Sequence, residues 1–222
     1  MTSRPTAAGR VREGIMRRMG AARPTGARAV YEVEQKFRVA DPAAVERQLV
    51  VLAARFRDPV EQVDRYFAHP CRDFVRSDEA LRLRRTGNDV MVTWKGPRID
   101  TATKTRLEME LGLAQVTPLP GGPKGGQATI DRWTDLLEAL GFRRVRDVAK
   151  RRRPARVPWQ GTEVEVALDT VAGLGDFLEL ELQSGAGEVP QATACIAALA
   201  RELGCTAPER RSYLELLIAA GC

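Results

Sequence analysis

The strand predicted over residues 31–39 carries ionisable side chains at alternate positions. Its sequence, YEVEQKFRV, is rich in the aromatic and β-branched residues that suit a pleated strand. Because residues i, i+2 and i+4 of a strand share one face, Glu32, Glu34 and Lys36 point the same way. That face either meets water or lines a charged interior, where the carboxylates hold a cation and the ammonium meets an anion.

The same alternation recurs in four further predicted strands. An exposed sheet face normally mixes Thr, Ser, Lys, Glu and Gln, whereas here the ionisable residues alternate largely with Leu, Met, Val or Phe. A sheet that closes into a barrel can turn such faces inward. The further pairs and triples are Arg82/Arg84, Arg106/Glu108/Glu110, Lys150/Arg152 and Glu179/Glu181.

A charged interior requires partners for its charges, because burying an unpaired charge is costly. A polyanion meets this need, since arginine and lysine bind phosphate oxygens while glutamate pairs supply hard oxygen ligands to Mg²⁺ or Mn²⁺. The alternative is an antiparallel sheet whose polar faces meet water, with cross-strand Glu–Arg pairs that contribute about 0.2–1 kcal/mol each. The residues alone leave both arrangements open.

Periodicity and turn residues predict one domain over residues 30–222, with about eight strands and four helices that are mostly hairpin-linked. A cation-rich strand is predicted over residues 142–153. The stretch 117–126, which includes PLPGGPKGG from residue 118, is too rich in glycine and proline for a regular element and is predicted as an inserted loop. The helices are predicted at residues 42–54, 130–140, 191–203 and 209–220.

The net charge of +6 is confined to the first 29 residues, which hold seven arginines and one glutamate. Residues 30–222 carry 28 basic and 28 acidic side chains, so this part has no net charge. A nucleic-acid-binding domain concentrates positive charge in its folded part. We therefore predict that residues 1–29 form a disordered basic extension, and that any contact with nucleic acid is limited to it.

Cysteine and histidine usage restricts the location and the chemistry. Four cysteines without a C-x-x-C pair are typical of reduced thiols, and we predict a cytoplasmic protein. The sequence contains no run of about 18 apolar residues, so we predict no membrane span. Its N-terminus has no apolar segment of the kind found in signal peptides, so we predict no secretory signal. The only histidine is His69. Catalysis must therefore use carboxylates, lysine, arginine, tyrosine and a bound metal.

Taken together and in this order, the motifs resemble those of the CYTH superfamily, which includes class IV adenylate cyclases and thiamine triphosphatases. The similarity covers about residues 31–217 and is greatest to the class IV cyclase branch, through YEVEQKFRV, the GLGDF turn and the terminal Ser-Tyr pair. The motifs are Glu-x-Glu-x-Lys at 32–36, DEALRLRR at 78–85, WKGP at 94–97, KTRLEME at 104–110, KRR at 150–152, GLGDFLE at 173–179 and RSYL at 211–214.

This resemblance implies an α+β fold in which an eight-stranded antiparallel β-barrel with flanking helices forms a tunnel for a triphosphate and a divalent metal, Mg²⁺ or Mn²⁺. It implies catalytic roles for Glu34, Lys36 and Arg84. The implied metal ligands are Glu32, Glu34, Glu108, Glu110, Asp169, Glu179 and Glu181. The implied phosphate-binding residues are Arg82, Arg84, Lys95, Arg106, Lys150 and Arg152.

Three activities fit such a tunnel. A class IV-type cyclase converts ATP to cyclic AMP and pyrophosphate, and the motifs favour this activity. A triphosphatase hydrolyses thiamine triphosphate, inorganic triphosphate or a nucleotide in the same cage. A non-catalytic polyphosphate-binding module is the third, although a pure anion binder gains nothing from six inward carboxylates. The expected partner is a small-molecule triphosphate, and a homodimer is left open as the assembly.

Overall fold

The computed structural model describes residues 30–98, 105–116, 121–185 and 187–221. The predicted basic extension at residues 1–29 lies outside the described residues, as does the part of the predicted loop at 117–120. No helix in the described ranges is both long enough and apolar enough to cross a membrane.

The described chain contains nine β-strands. All of their pairings are antiparallel, as the hairpin-linked sequence pattern predicts. Their bounds are β1 Val30–Arg38, β2 Arg55–Phe56, β3 Val60–Ala68, β4 Ala80–Thr86, β5 Asp89–Arg98, β6 Arg106–Leu113, β7 Arg143–Trp159, β8 Thr162–Val171 and β9 Gly175–Gly185.

Eight of these strands close into a barrel. Their order is β7–β3–β4–β5–β6–β1–β9–β8, and β8 pairs back onto β7. The two-residue strand β2 adds to the outside of this ring by pairing with β7. The predicted eight-stranded antiparallel barrel with flanking helices is therefore confirmed, and its closure gives every inward side chain a shared interior.

In the described ranges, five helices flank the barrel. Asp41 accepts a hydrogen bond from the Ala44 backbone N–H, and Pro42 occupies the first turn, so α1 begins where the sequence predicts. The last helix begins with a capping box in which Ser212 and Glu215 bind each other's backbone N–H groups. The helices are α1 Pro42–Val51, α2 Phe74–Ser77, α3 Gly125–Ala139, α4 Val189–Glu202 and α5 Tyr213–Ala219.

Two apolar cores lie between the outer face of the sheet and the helices. The largest packs α1 and α4 against β1, β7, β8 and β9, and its members Val33, Leu180 and Ile196 are fully buried. A second core places α3 on β3, β4 and β5. Burying each such aliphatic side chain contributes about 1.5–3 kcal/mol. The outward faces thus hold the fold together and leave the inward faces free for charge.

Helix α5 and residues next to it form a third core at one end of the barrel. Tyr213, Leu216 and Leu217 are buried there against Val148 and Phe177. The two aromatic rings of this group, Phe177 and Tyr213, meet edge to face with centroids 4.9 Å apart. The chain after α4 therefore returns to cover part of this end of the barrel.

Helix α3 starts earlier than predicted. The expected start was residue 130, because Gly125 and Gly126 were included in the loop, but the helix begins at Gly125. A Cβ atom at Gly126 would lie 2.5 Å from the Gly87 carbonyl oxygen, so only glycine permits this close approach to the β4–β5 turn. The helix reaches this turn because its first residues are glycines, which sequence rules assign to loops.

Strand β7 runs to Trp159, beyond the predicted end at residue 153. Pro154 lies where the neighbour of β7 changes, since β3 pairs up to Arg152 and β2 pairs from Ala155. Because the pairing of β7 is interrupted at this residue, the N–H group that proline lacks breaks no continuous ladder of hydrogen bonds on that side. The short elements β2 and α2 were not predicted, because two to four residues carry too little periodicity.

Candidate active site

The barrel encloses a cavity of about 1140 Å³. Thirteen of the fourteen predicted site residues line it, while Asp169 does not. The water-facing alternative is therefore wrong for these strands. Of the predicted residues that line it, the carboxylates are Glu32, Glu34, Glu108, Glu110, Glu179 and Glu181, and the cations are Lys36, Arg82, Arg84, Lys95, Arg106, Lys150 and Arg152.

Asp64 of β3 lies behind two of the predicted phosphate-binding arginines. It is paired in register with Arg84, and its carboxylate accepts hydrogen bonds from Arg84 Nε at 2.7 Å and Nη2 at 2.8 Å. Arg82 Nη1 donates to it at 3.3 Å. Burial opposes ionisation, but the two guanidiniums outweigh it and hold the pKa of Asp64 well below its usual range. Asp64 therefore fixes both guanidiniums inside the barrel.

Asp169 of β8 does the same for the cations of β7. Its carboxylate accepts hydrogen bonds from Lys150 Nζ at 2.8 Å, from Arg152 at 2.7 and 2.8 Å, and from the Tyr213 hydroxyl at 3.1 Å. Burial, together with the charge of Arg152, lowers the pKa of Lys150 to about 8. Arg152 also contacts Glu179 on β9. Asp169 is thus engaged by three side chains of the chain itself, and its predicted role as a metal ligand stays a prediction.

The opposite wall is rich in carboxylates. Glu34 of β1 is paired in register with Glu181 of β9, and Lys95 Nζ lies 2.5 Å from Glu32 and 3.1 Å from Glu108. Burial and the charge of Glu32 raise the pKa of Glu181 to about 8. Burial likewise raises the pKa of Glu32, against the opposing effect of Lys95. Crowded carboxylates of this kind favour an additional cation.

Lys36 is the most deeply buried of the predicted catalytic residues. It is 1 % exposed, and its Nζ donates a hydrogen bond to the Arg211 carbonyl oxygen at 2.6 Å. The same Nζ lies 4.0 Å from the centroid of the Tyr213 ring. Lys36 therefore joins the first barrel strand to the chain segment that leads into α5, besides lining the cavity.

Glu110 and Arg106 complete the predicted set on β6. Thr93 donates a hydrogen bond to Glu110 at 2.9 Å, and an Arg82 nitrogen lies 3.9 Å from the same carboxylate. Arg106 lies 4.0 Å from Asp78, a cavity residue that the sequence prediction omitted. These contacts connect β6 to the guanidiniums of β4 and to the loop before it.

A family model described as the CYTH domain matches residues 30–213. The chain belongs to the CYTH family. The match covers the whole barrel and ends at Tyr213, so it includes every site residue described above. The predicted resemblance is therefore confirmed.

Individual relatives agree with this assignment. A Methanocaldococcus jannaschii protein named "Putative adenylate cyclase" is 34 % identical over 152 residues, which cover 68 % of this CYTH chain and 77 % of the relative. A solved structure of a Pyrococcus horikoshii protein is 38 % identical, with a TM-score of 0.71, and the alignment covers 85 % of this chain and 98 % of the other.

A more distant structure shares the fold alone. It is a Hippeastrum protein described as a putative adenylyl cyclase with a dominant triphosphatase activity. It is 17 % identical with a TM-score of 0.54, and the alignment covers 86 % of this chain and 96 % of that one.

A divalent metal is implied by the CYTH resemblance, and the cavity allows a chemical test of the fit. The available donors are carboxylate oxygens, which Mg²⁺ and Mn²⁺ prefer. The raised pKa of Glu181 shows that burial and negative charge disfavour further ionisation there. In the described part of the chain, however, no three His, Cys, Asp or Glu side chains are already grouped as a metal site. The donor types fit a hard cation, whereas a complete ligand set is not preformed.

Sequence reasoning missed Asp64 because β3 carries ionisable residues on both faces. Asp64 points inward, but its neighbour Arg65 is also buried, outside the barrel, where it binds Asp147 and Asp131 at 3.1 Å. A single inward acid beside an outward arginine gives no i, i+2 pair. The alternation Gln62, Asp64 and Tyr66 was the available signal, since all three are buried.

Proposed function

We propose that this CYTH protein is a divalent-metal-dependent enzyme that converts ATP to cyclic AMP and pyrophosphate. The observation that carries the proposal is the polarity of the cavity. One wall presents guanidinium and ammonium groups held by Asp64 and Asp169, and the other presents glutamates that favour a cation. A metal-bound triphosphate has the complementary arrangement of charge. The cyclase name of the Methanocaldococcus relative supports the choice of reaction.

In this reaction the ribose 3′-oxygen forms a bond to the α-phosphorus. The bond from that phosphorus to the oxygen bridging the α- and β-phosphates breaks, and pyrophosphate leaves with the electron pair. Arg82 and Arg84 bind phosphate oxygens from one wall, while Lys150 and Arg152 do so from another. The hydroxyl proton passes to a carboxylate of the acidic wall that does not hold the metal.

The divalent ion would be held by the glutamates of the acidic wall, with Glu34 and Glu181 as the principal candidates. When bound, it would neutralise charge on the phosphate oxygens. The chain's own groups do the rest, because in-line phosphoryl transfer depends on positioning and charge stabilisation more than on a strong protein nucleophile. This suits a protein whose single histidine is His69, one of the residues that line the cavity.

Triphosphate hydrolysis is the second candidate. The same cage would position water against the terminal phosphorus, and the triphosphatase activity attributed to the Hippeastrum protein supports this alternative. The two reactions differ in which phosphorus meets the nucleophile, which the fold does not fix. A cytoplasmic location, a homodimer and the absence of nucleic-acid binding stay predictions.

Product analysis tests the proposal. The purified protein is incubated with Mg²⁺ or Mn²⁺ and with ATP, thiamine triphosphate or inorganic triphosphate. We expect cyclic AMP and pyrophosphate in equal amounts from ATP. Orthophosphate without cyclic AMP would establish the triphosphatase instead. Binding without turnover of any of these would leave only a polyphosphate-binding module, and full turnover in EDTA would contradict the metal requirement.

A further inference from the structure

Helix α5 lies outside the sheet, yet it places one side chain among the cations of the barrel. Tyr213 is the first residue of this helix, is 6 % exposed and lines the cavity. Its hydroxyl donates a hydrogen bond to Asp169 Oδ2 at 3.1 Å, since a carboxylate only accepts. Tyr213 thus reaches the interior from an element that the strand pattern does not include.

The oxygen that accepts the Tyr213 hydroxyl also accepts both cations of β7. Lys150 Nζ donates to Asp169 Oδ2 at 2.8 Å, and Arg152 Nη2 donates to the same atom at 2.7 Å. Asp169 is 1 % exposed and Lys150 is 4 % exposed, so these groups meet away from bulk water. Because three donors share one oxygen, the direction of each donor depends on the others. The hydroxyl therefore helps to set how the carboxylate holds the two cations.

The ring of Tyr213 contacts two buried lysines that line the cavity. Lys36 Nζ lies 4.0 Å from the ring centroid, and Lys150 Nζ lies 5.1 Å from it. Both distances are within the range of cation–π attraction. Phe177 packs against the same ring, edge to face, at a centroid distance of 4.9 Å. These contacts hold the ring in one place, which directs its hydroxyl at Asp169.

The chain before Tyr213 is fastened to the barrel by bonds that do not involve its hydroxyl. The Arg211 carbonyl oxygen accepts a hydrogen bond from Lys36 Nζ at 2.6 Å. The Arg210 carbonyl oxygen accepts one from Arg98 Nη1 at 2.9 Å. Removing the hydroxyl should therefore leave α5 and the ring in place, so its effect on the cations can be measured separately.

We propose that Tyr213 is a positioning residue whose hydroxyl orients Asp169. Through Asp169 it sets the directions in which Lys150 and Arg152 donate to phosphate oxygens. The inference rests on the proposed function, because it takes these two cations to bind the phosphates of the substrate. Misplacing a catalytic group by about 1 Å can lower a rate about 10²-fold, so a single supporting hydrogen bond has a measurable effect.

The test measures binding of inorganic tripolyphosphate in Mg²⁺ by isothermal titration calorimetry, together with turnover of ATP. Tyr213→Phe keeps the ring and its contact with Phe177 and removes only the hydroxyl. We expect tripolyphosphate to bind about three- to tenfold more weakly and kcat for ATP to fall at least about tenfold. The midpoint of thermal unfolding should change by no more than about 4 °C. The matched control is Tyr31→Phe, since Tyr31 is half-buried on β1 and does not line the cavity.

A double-mutant cycle on tripolyphosphate binding separates positioning from a general loosening of the barrel. In a Lys150→Gln background, Tyr213→Phe should cause a smaller further loss, about twofold, because one of the cations that it orients has lost its charge. In an Arg84→Gln background the full loss should recur, since Arg84 is held by Asp64 instead.

The outcomes separate this inference from the proposed function. Equal losses in the two backgrounds, or a loss in Tyr213→Phe no larger than in the Tyr31→Phe control, would overturn the positioning role. An unfolded Tyr213→Phe protein would overturn it too, by showing that the hydroxyl holds the fold. If the unaltered protein binds tripolyphosphate but forms no cyclic AMP, the proposed function fails and the binding cycle alone decides the role of Tyr213. If tripolyphosphate does not bind, both fail.

Discussion

The two walls of the barrel differ in whether the charges of their carboxylates are already matched. Asp64 and Asp169 are each bound by two or more basic groups of the chain, and the pKa of Asp64 is held well below its usual range. Glu32 and Glu181 are also buried, but their pKa values are raised. The first wall is thus preorganised by the protein, whereas we predict that the second is completed by a bound cation. Because the carboxylates of both walls are buried, burial alone does not explain why their pKa values shift in opposite directions. The number of neighbouring cations explains it.

Removing a carboxylate from the second wall should have the largest effect on activity. We expect Glu34→Gln to reduce turnover by at least about 10²-fold, as the loss of one preorganised group in a charged site does, while the midpoint of thermal unfolding changes little. The matched control is Glu61→Gln, because the Glu61 side chain is 78 % exposed outside the cavity. An unfolded Glu34→Gln protein would show that this residue is structural.

Removing a carboxylate from the first wall should instead destabilise the fold. Asp64→Ala leaves Arg82 and Arg84, whose side chains are only 12 % and 14 % exposed, without their buried partner. Breaking a buried pair in this way costs about 3–5 kcal/mol, which urea unfolding measures. Asp58→Ala serves as the control, since Asp58 is exposed. A loss as small as that of the control would mean that water or the remaining acids replace Asp64.

Part of this contrast between the two walls could be predicted from the sequence. Paired charges at i and i+2 indicated the strand faces that line the barrel interior, although the residues alone left a water-facing sheet as the alternative. Single inward acids such as Asp64 gave no such signal. Asp169 was identified only through resemblance, and no local rule indicated that Lys150, Arg152 and Tyr213 would all bind it. Those contacts join residues distant in the chain, which register and barrel closure bring together.

The two element boundaries that were predicted wrongly, the start of α3 and the end of β7, have a common physical cause. Gly126 lies in the first turn of α3, where a neighbouring turn excludes any Cβ atom, and Pro154 continues β7 because the neighbouring strand changes there. Both residues are read locally as breakers of regular structure. Whether a helix or strand tolerates such a residue depends on neighbouring elements that are distant in the sequence.

Metal binding should stabilise only the second wall. After chelation, excess Mg²⁺ or Mn²⁺ should raise the midpoint of thermal unfolding by about 5–10 °C, because ligand at about 100 times its Kd contributes about 2.7 kcal/mol. Glu34→Gln should largely abolish this shift, and Glu61→Gln should retain it. KCl at matched ionic strength controls for screening. An equal shift in Glu34→Gln would place the ion elsewhere.

The smallest effect concerns the pH dependence of stability in EDTA. The pKa of Glu181 is raised to about 8 in the folded protein, so between its unfolded value of 4.5 and about pH 8 the folded state binds more protons than the unfolded state. The free energy of unfolding must therefore fall as pH rises through this interval. Glu181→Gln cannot lose that proton, and its stability should decline less steeply when urea unfolding is compared at pH 5.5 and 8.5. The Asp64 wall provides the contrast, because its lowered pKa contributes stability that is lost only as the solution becomes strongly acidic. If the slopes of Glu181→Gln and the unaltered protein coincide, the second wall carries no excess of negative charge, and the distinction between the two walls fails.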